Sequence, residues 1–533
     1  MARGRLAAAI ALSSVLWLGV AHADTLPRRG GILEYAVDTA PSNYDCEANF
    51  SFVANHVLAP EYSTLLKFDT ARYPEIVGDL AQSWRVSPDR MTYAFTLEPG
   101  VLFHDGSHLT SADVKATYER IIHPPTGVLS ARQADYAAIA QIDTPDERTV
   151  VFHLQWPDAA MLANFASPWN CIYSAQRLKQ DPDYPKAHVM GTGPFVFVGH
   201  EKGGPWGGKR WVHYFRPGHP YLDGFRADFM SGPAVLRAME AGRVMAQFRS
   251  FTPVERDELV RTMGDRVAVY ESPWITYLAL VFNTKEKPFS DARVRRALSL
   301  AIDRWRMADD LSRTTFLKYV GGLMRPGTAM STPATELATL PGFSRDIGAA
   351  RMEARRLLAA AGVPHLTLTL TNRNDVPIPY GPAGDYLIEA WKAIGVEAKQ
   401  EMLPTKGWQG ALEQGHFAAA LDLAADYFDD PTIQLARYIS RDLSPLDHAQ
   451  ATDRFLDALF IGQAISPDVR QRAVTVRGFE KQALTAAATV PILWWNRIIV
   501  TSVKMKGWNM SPSHYIGQDL GDVWIEPGAV AER

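Results

Sequence analysis

Hydrophobic and polar positions alternate along Thr92–Leu97 (TYAFTL) and again along Thr149–Leu154 (TVVFHL), both rich in β-branched and aromatic side chains. That period of two predicts half-buried strands. Between them, Thr110-Ser111-Ala112-Asp113 opens an amphipathic stretch that ends near Ile122, just before Pro124-Pro125. Thr110 with Asp113 three positions later resembles a capping box, and the prolines stop the helix. Val267 to Asn283 reads as two extended runs meeting near Ser272-Pro273, and Ser290-Asp291-Ala292-Arg293 opens a helix through Arg306. Ala349 to Ala361 is a helix stopped at Gly362 ahead of the strand Leu366 to Leu370, and Asp385 to Ile394 is another, ending at Gly395 ahead of Val396 to Met402. Phe417 to Leu423 alternates, and Val490 to Val503 is extended and apolar. Helices alternating with strands predict an α/β fold with helix-covered sheets, and the apolar runs fall into several groups, which predicts more than one lobe.

The first residues follow a different pattern. Arg3 and Arg5 precede an apolar run from Leu6 to Val20, and Ala21-His22-Ala23 follows, with Asp24 after it. A basic start, an apolar core and an A-x-A site are the parts of a secretory signal peptide, so residues 1–23 are expected to be removed on export to a periplasm. The run is shorter than the roughly 20 residues that span a bilayer. Asp24, where a lipid-anchored protein would carry Cys, gives no support for an anchor. No later stretch is long and apolar enough to span, so the chain is expected not to be embedded in a membrane.

Composition narrows the function. Losing Arg3 and Arg5 takes the formal charge from −3 to −5, the wrong sign for a nucleic-acid surface. The chain has two cysteines, Cys46 and Cys171. In an oxidising compartment they form one disulfide or remain two buried thiols, and spacing alone leaves both open.

Several motifs suggest chemistry and then fail. Gly203 to Arg210 nearly fits a phosphate-binding loop, but Arg210 replaces the required hydroxyl and Pro205 removes a donor. Trp211 to Phe215 also reads as a strand, not the helix such a loop needs. His104-Asp105-Gly106-Ser107-His108 is a turn signal rather than a metal site. No H-E-x-x-H, C-x-x-C or G-x-S-x-G spacing occurs, and no catalytic group, metal or cofactor is nominated. Two clusters do look like ligand chemistry. Ala424 to Pro431 (AADYFDDP) gathers three carboxylates and two aromatics at a strand end, either a cation site or a solvated acidic turn. Trp494-Trp495-Asn496-Arg497 lies on an extended run, where alternation puts the two Trp side chains on opposite faces.

Together, five segments resemble the family 5 bacterial extracellular solute-binding proteins, the dipeptide- and oligopeptide-binding type that serves ABC importers. They are Leu80-Ala81-Gln82-Ser83-Trp84; Phe95-Thr96-Leu97 with Phe103-His104-Asp105-Gly106; Leu109 to Val114; Gly191-Thr192-Gly193-Pro194-Phe195; and Asn283-Thr284 through Ala301-Ile302-Asp303-Arg304. The resemblance implies a two-lobed, hinged periplasmic binding protein fold with an extra subdomain inserted in the first lobe. Lobe 1 is then expected over 24–273, with the subdomain at about 55–185, lobe 2 over 274–497, and a return to lobe 1 over 498–533. The crossings are expected near Ser272 to Tyr277 and Trp495 to Val500.

The resemblance also implies site residues. Asp426, in Ala425-Asp426-Tyr427, matches the Asp that meets a ligand's ammonium group. The loop carries one extra residue before Pro431, which leaves Tyr427 or Asp429 as rivals for that place. Arg373 matches the dipeptide type's partner for a ligand carboxylate; Trp494 and Trp495, nominated from the residue pattern and not from the resemblance, complete the expected set. Leu423 stands where many members carry a Trp. The implied role is capture of a short peptide by a monomer and its delivery to the permease subunits of an ABC importer. A non-peptide ligand (an opine, a glutathione-like solute, an oligosaccharide or a metal chelate) is the alternative, and a secreted hydrolase a remote one.

Overall fold

The computed structural model describes residues 26–527 apart from 50, 201, 202, 375 and 376. The expected signal peptide, residues 1–23, lies outside them. Two long strands organise the molecule. Val267–Phe282 runs antiparallel to Thr489–Ser502, from Val267 opposite Ser502 to Val281 opposite Thr489. The register shifts between Pro273 and Tyr277, where Pro273 has no N–H to give to the ladder. The sequence reading of two runs meeting there gives way to one continuous strand with an irregularity.

On one side of that shift Thr276–Phe282 pairs with Ala419–Ala425, and the sheet continues through Leu366–Arg373 to Val396–Leu403. On the other side Thr501 pairs with Ala246, and the sheet continues through Ile32–Val37 and Gly224–Phe229 to Trp206–Arg210 and Phe195–His200. Two lobes thus hang from one pair of strands. The first is packed around Tyr35, Trp206, Phe225 and Phe248. The second is packed around Leu280, Leu298, Trp391 and Ile492.

A separate four-stranded antiparallel sheet, in the order Ala81–Val86, Thr92–Leu97, Thr149–Leu154, Ile139–Asp146, forms the inserted subdomain. Its core packs Phe95, Phe152 and Phe165 against one another and against Tyr118 of the helix Ser111–Ile122. That helix starts as its sequence indicates: the Asp113 carboxylate accepts from Thr110 N–H at 2.7 Å. The subdomain touches the second lobe through its loops. Ala159 N–H donates to Ala464 O at 2.7 Å, Arg90 Nη2 to Pro467 O at 3.0 Å, and Asp429 N–H to Tyr73 Oη at 2.8 Å. Phe428 is buried in the subdomain's core.

Some boundaries differ from the sequence reading. The helix expected through Arg306 is two, Ala292–Leu300 and Arg304–Leu311, because the Asp303 side chain accepts from Arg306 N–H and starts a second helix. The helix expected at Asp385 begins at Pro377 and carries Pro382 within it. The strand expected at Trp211 to Phe215 lies earlier, at Trp206–Arg210, so the glycine-rich segment leads into a strand and the phosphate-loop spacing has no helix behind it. No helix among the described residues is long and apolar enough to cross a membrane.

Cys46 and Cys171 are joined, with Cα atoms 6.1 Å apart across a separation of 125 residues. The Arg120 guanidinium anchors the flanking Asp45 at 2.6 Å and also binds Glu47. Closing so long a loop restricts the unfolded chain. Reduction, or Cys171→Ser, is therefore expected to lower unfolding free energy by about 2–4 kcal/mol, read as a lower urea midpoint. Free thiols in the unreduced, unfolded protein, or an unchanged midpoint, would contradict the pairing.

Candidate functional site

A cavity of about 350 Å³ lies where the two strands cross. Lobe 1 lines it with Asp38, Phe52 and Arg249, lobe 2 with Phe316, Arg373, Leu423 and Trp495, the crossing with Trp274 and Thr276, and the C-terminal segment with His514 and Tyr515. Asp38 follows directly on the strand Ile32–Val37 and Arg249 lies two residues past Ala246–Gln247, so the ends of paired strands bring them together. Their side chains meet at 3.0 Å, Gln247 Nε2 donates to Asp38 at 3.1 Å, and the Arg249 guanidinium lies 4.3 Å from the centre of the Phe52 ring.

The aromatic wall is rigid because its rings hold one another. Trp495 stacks on Phe316 with centroids 5.3 Å apart and planes 5° from parallel. Trp274 meets Trp495 edge-on at 5.7 Å and donates its indole N–H to His514 Nδ1 at 3.2 Å. Such edge and offset contacts add to the burial energy of each ring. Accepting that bond keeps His514 Nδ1 unprotonated. Behind it, His56 Nε2 donates to the His514 carbonyl at 2.8 Å.

Arg497, fully buried, fixes this floor. Its guanidinium donates to the carbonyls of Phe248, Arg249, Ser511 and Ser513, tying lobe 1 to the C-terminal segment that carries His514. Burial lowers its pKa to about 9. Burial, with Arg497 and Arg249 nearby, also lowers His56 to about 3 and His514 well below its usual range.

Of the six residues nominated from sequence, Arg373 and Trp495 line the cavity. Arg373 ends the strand Leu366–Arg373, with its guanidinium 4.1 Å from the Tyr380 ring centre and 4.9 Å from that of Trp408. Trp494 is a correction. Alternation turns it to the opposite face, where it is wholly buried, 4.5 Å from Tyr277, with Nε1 donating to Gly322 O at 2.9 Å.

The carboxylates and aromatics of the acidic loop lie outside the lining, and the loop is neither a solvated turn nor an open cation site. Asp426 is paired with Arg437 at 2.8 Å, Asp429 with Arg325 at 2.7 Å, and Asp430 with Arg472 at 2.6 Å. Burial works against charge on both members of the first pair, and for Arg437 the Asp426 carboxylate outweighs it and raises its pKa. Tyr427 faces the subdomain, 5.2 Å from Tyr515 and 5.4 Å from the Arg132 guanidinium. Sequence reasoning missed Asp38, Phe52, Arg249, Trp274 and His514. The signal available for them was position alone, beside strand ends and at the crossing.

Comparison with known proteins follows this geometry. The model of the bacterial extracellular solute-binding proteins, family 5, matches residues 75–442. The chain belongs to that family. Among curated relatives, the glutathione-binding protein GsiB of Pectobacterium atrosepticum is 30% identical over 262 residues, 48% of each chain. The chain thus spans about half the length of that relative. Two solved structures share the fold, each with a TM-score of 0.77. One is AgaA of A. tumefacien R10 with agropinic acid, 23% identical over 94% of this chain and 99% of that one. The other is the periplasmic binding protein DppA of Helicobacter pylori with the peptide STSA, 20% identical over the same shares.

The neutral histidines generate a pH prediction. An unfolded imidazole takes its proton near pH 6.5, whereas folded His56 takes one only near 3. Between these values the unfolded state binds more protons, so stability is lost as pH falls. His56→Gln removes that contribution. Relative to the variant, the natural chain should lose about 1.4 kcal/mol per pH unit below about pH 6, measured by urea unfolding at several pH values. Parallel pH profiles would contradict it.

Proposed function

We propose that the chain is the capture component of an ABC importer, holding a short peptide or peptide-like solute between its lobes and presenting it to the permease subunits. Its place of work is the periplasm, reached after removal of residues 1–23. The observation that carries this reading is the cavity itself: its walls come from both sides of the crossing, so a solute in it touches both lobes. A ligand shifts an open–closed equilibrium only by its differential contacts, and contacts to two lobes at once exist only in the closed form. The volume and the mixed aromatic and charged walls suit a small polar solute. The names of the relatives, glutathione-binding and peptide-bound, agree with a peptide-like cargo.

Capture without chemistry has a direct test. Purified protein incubated with a mixed pool of free di- and tripeptides is expected to retain one peptide per chain, and native mass spectrometry should recover that peptide uncut after prolonged incubation. Absence of retention, or release of peptide fragments, would contradict the proposal.

A further inference from the structure

Residues 426–430 are held by one lobe and buried in the other. Three carboxylates clamp this loop to the second lobe: Asp426 to Arg437 at 2.8 Å, Asp429 to Arg325 at 2.7 Å and Asp430 to Arg472 at 2.6 Å. Between the clamped positions, Tyr427 and Phe428 turn away from that lobe. Phe428 is 2% exposed, yet it belongs to the subdomain's core and to none of the core clusters of its own lobe. Its ring lies 5.4 Å from that of Phe68, which in turn lies 5.4 Å from that of Tyr73. Tyr73 Oη accepts from Asp429 N–H at 2.8 Å. Phe68 ends the strand Leu66–Phe68, and Tyr73 lies in its connection to Ile76–Gly78. The groups that receive the loop therefore all lie across the seam from the groups that clamp it.

Opening the lobes withdraws the loop from this socket. Phe428 then returns to water, and Asp429 N–H exchanges Tyr73 for solvent. Full burial of a phenylalanine side chain shifts an equilibrium by about tenfold to a hundredfold. The three ion pairs lie within the second lobe and survive opening, so the loop keeps its shape and re-enters the socket with little ordering cost. No solute takes part in these contacts, because Phe428, Phe68 and Tyr73 lie outside the lining of the interlobe cavity.

We propose that Phe428 is a latch: its loop docks in the subdomain whether or not solute is present, and so sets how far closed the empty protein rests. This rests on the proposed capture between closing lobes and adds a control on it. The carboxylates spent on Arg437, Arg325 and Arg472 act as struts that hold the latch out from its own lobe. Apparent affinity scales with the fraction of chains already in the competent form, so the latch reduces the differential contact that a solute must supply.

The test uses the mature protein with spin labels at Trp156 and Val469, which are exposed on the subdomain and the second lobe. Double electron–electron resonance reads their separation. Without solute, Phe428→Ala is expected to lower the ratio of short to long distances by about tenfold or more. Phe428→Leu, which keeps an apolar plug, should lower it by clearly less. Tyr73→Phe, which removes only the acceptor for Asp429 N–H, should lower it by about threefold. Peptide taken from the free di- and tripeptide pool should still close Phe428→Ala, at a higher concentration than the natural chain needs. A folded Phe428→Ala whose solute-free distances match those of the natural chain overturns the latch, even where its urea midpoint falls. Should that variant not fold, Tyr73→Phe decides, and unchanged solute-free distances in it overturn the proposal. The solute-free comparison needs no peptide, so it judges the latch separately from capture. Distances in the natural chain that ignore added peptide overturn capture by closure, whereas distances that follow peptide but neither variant overturn the latch alone.

Discussion

The pairing of Val267–Phe282 with Thr489–Ser502 carries both lobes, and the site depends on how that pair is held. Each strand runs unbroken from one lobe to the other, changing neighbours where Pro273 interrupts the regular ladder. A connection of two strands bends with few contacts to break, which is what a hinge needs. Arg497 stiffens one side of it. Burying a guanidinium is costly unless its donors are met, and four carbonyls meet them. The C-terminal segment is thereby locked to lobe 1, and His514 and Trp274 are set as the floor of the cavity.

Charge is managed differently on the two sides of the cavity wall. Behind it, in the loop after Ala419–Ala425, three carboxylates are each matched to an arginine of the same lobe. Removing one member of such a pair strands a buried charge, whereas the intact pair adds little net stability. These pairs therefore fix the loop's shape more than they stabilise the fold. At the cavity surface Arg373 has aromatic support but no ion-pair partner among the described residues.

Much of the architecture was legible because local rules and tertiary structure agree. Alternation gave Thr92–Leu97 and Thr149–Leu154, and the Thr110–Asp113 spacing gave a helix start that the structure forms. Ordered motifs along the chain gave the family. The site was less legible for a physical reason. Whether Asp426, Asp429 and Asp430 are open or spent depends on Arg437, Arg325 and Arg472, which lie 11, 104 and 42 residues away along the chain. Alternation did imply that Trp494 and Trp495 face opposite ways, but not which of them meets the cavity. The helix break at Asp303 was missed because the apolar period continues past a residue whose side chain prefers to start a new helix.

The closing face offers the most direct measurement of the central claim, that two lobes on a two-strand hinge close around solute. Trp156 in the subdomain and Val469 in the second lobe are exposed and flank the contacts that Ala159 and Arg90 make with Ala464 and Pro467. Spin labels at these two positions report their separation by double electron–electron resonance. Without ligand, a broad distribution reaching to longer distances is expected, and it should collapse to a single short distance when retained solute saturates the protein. Identical distributions with and without bound solute would contradict the account.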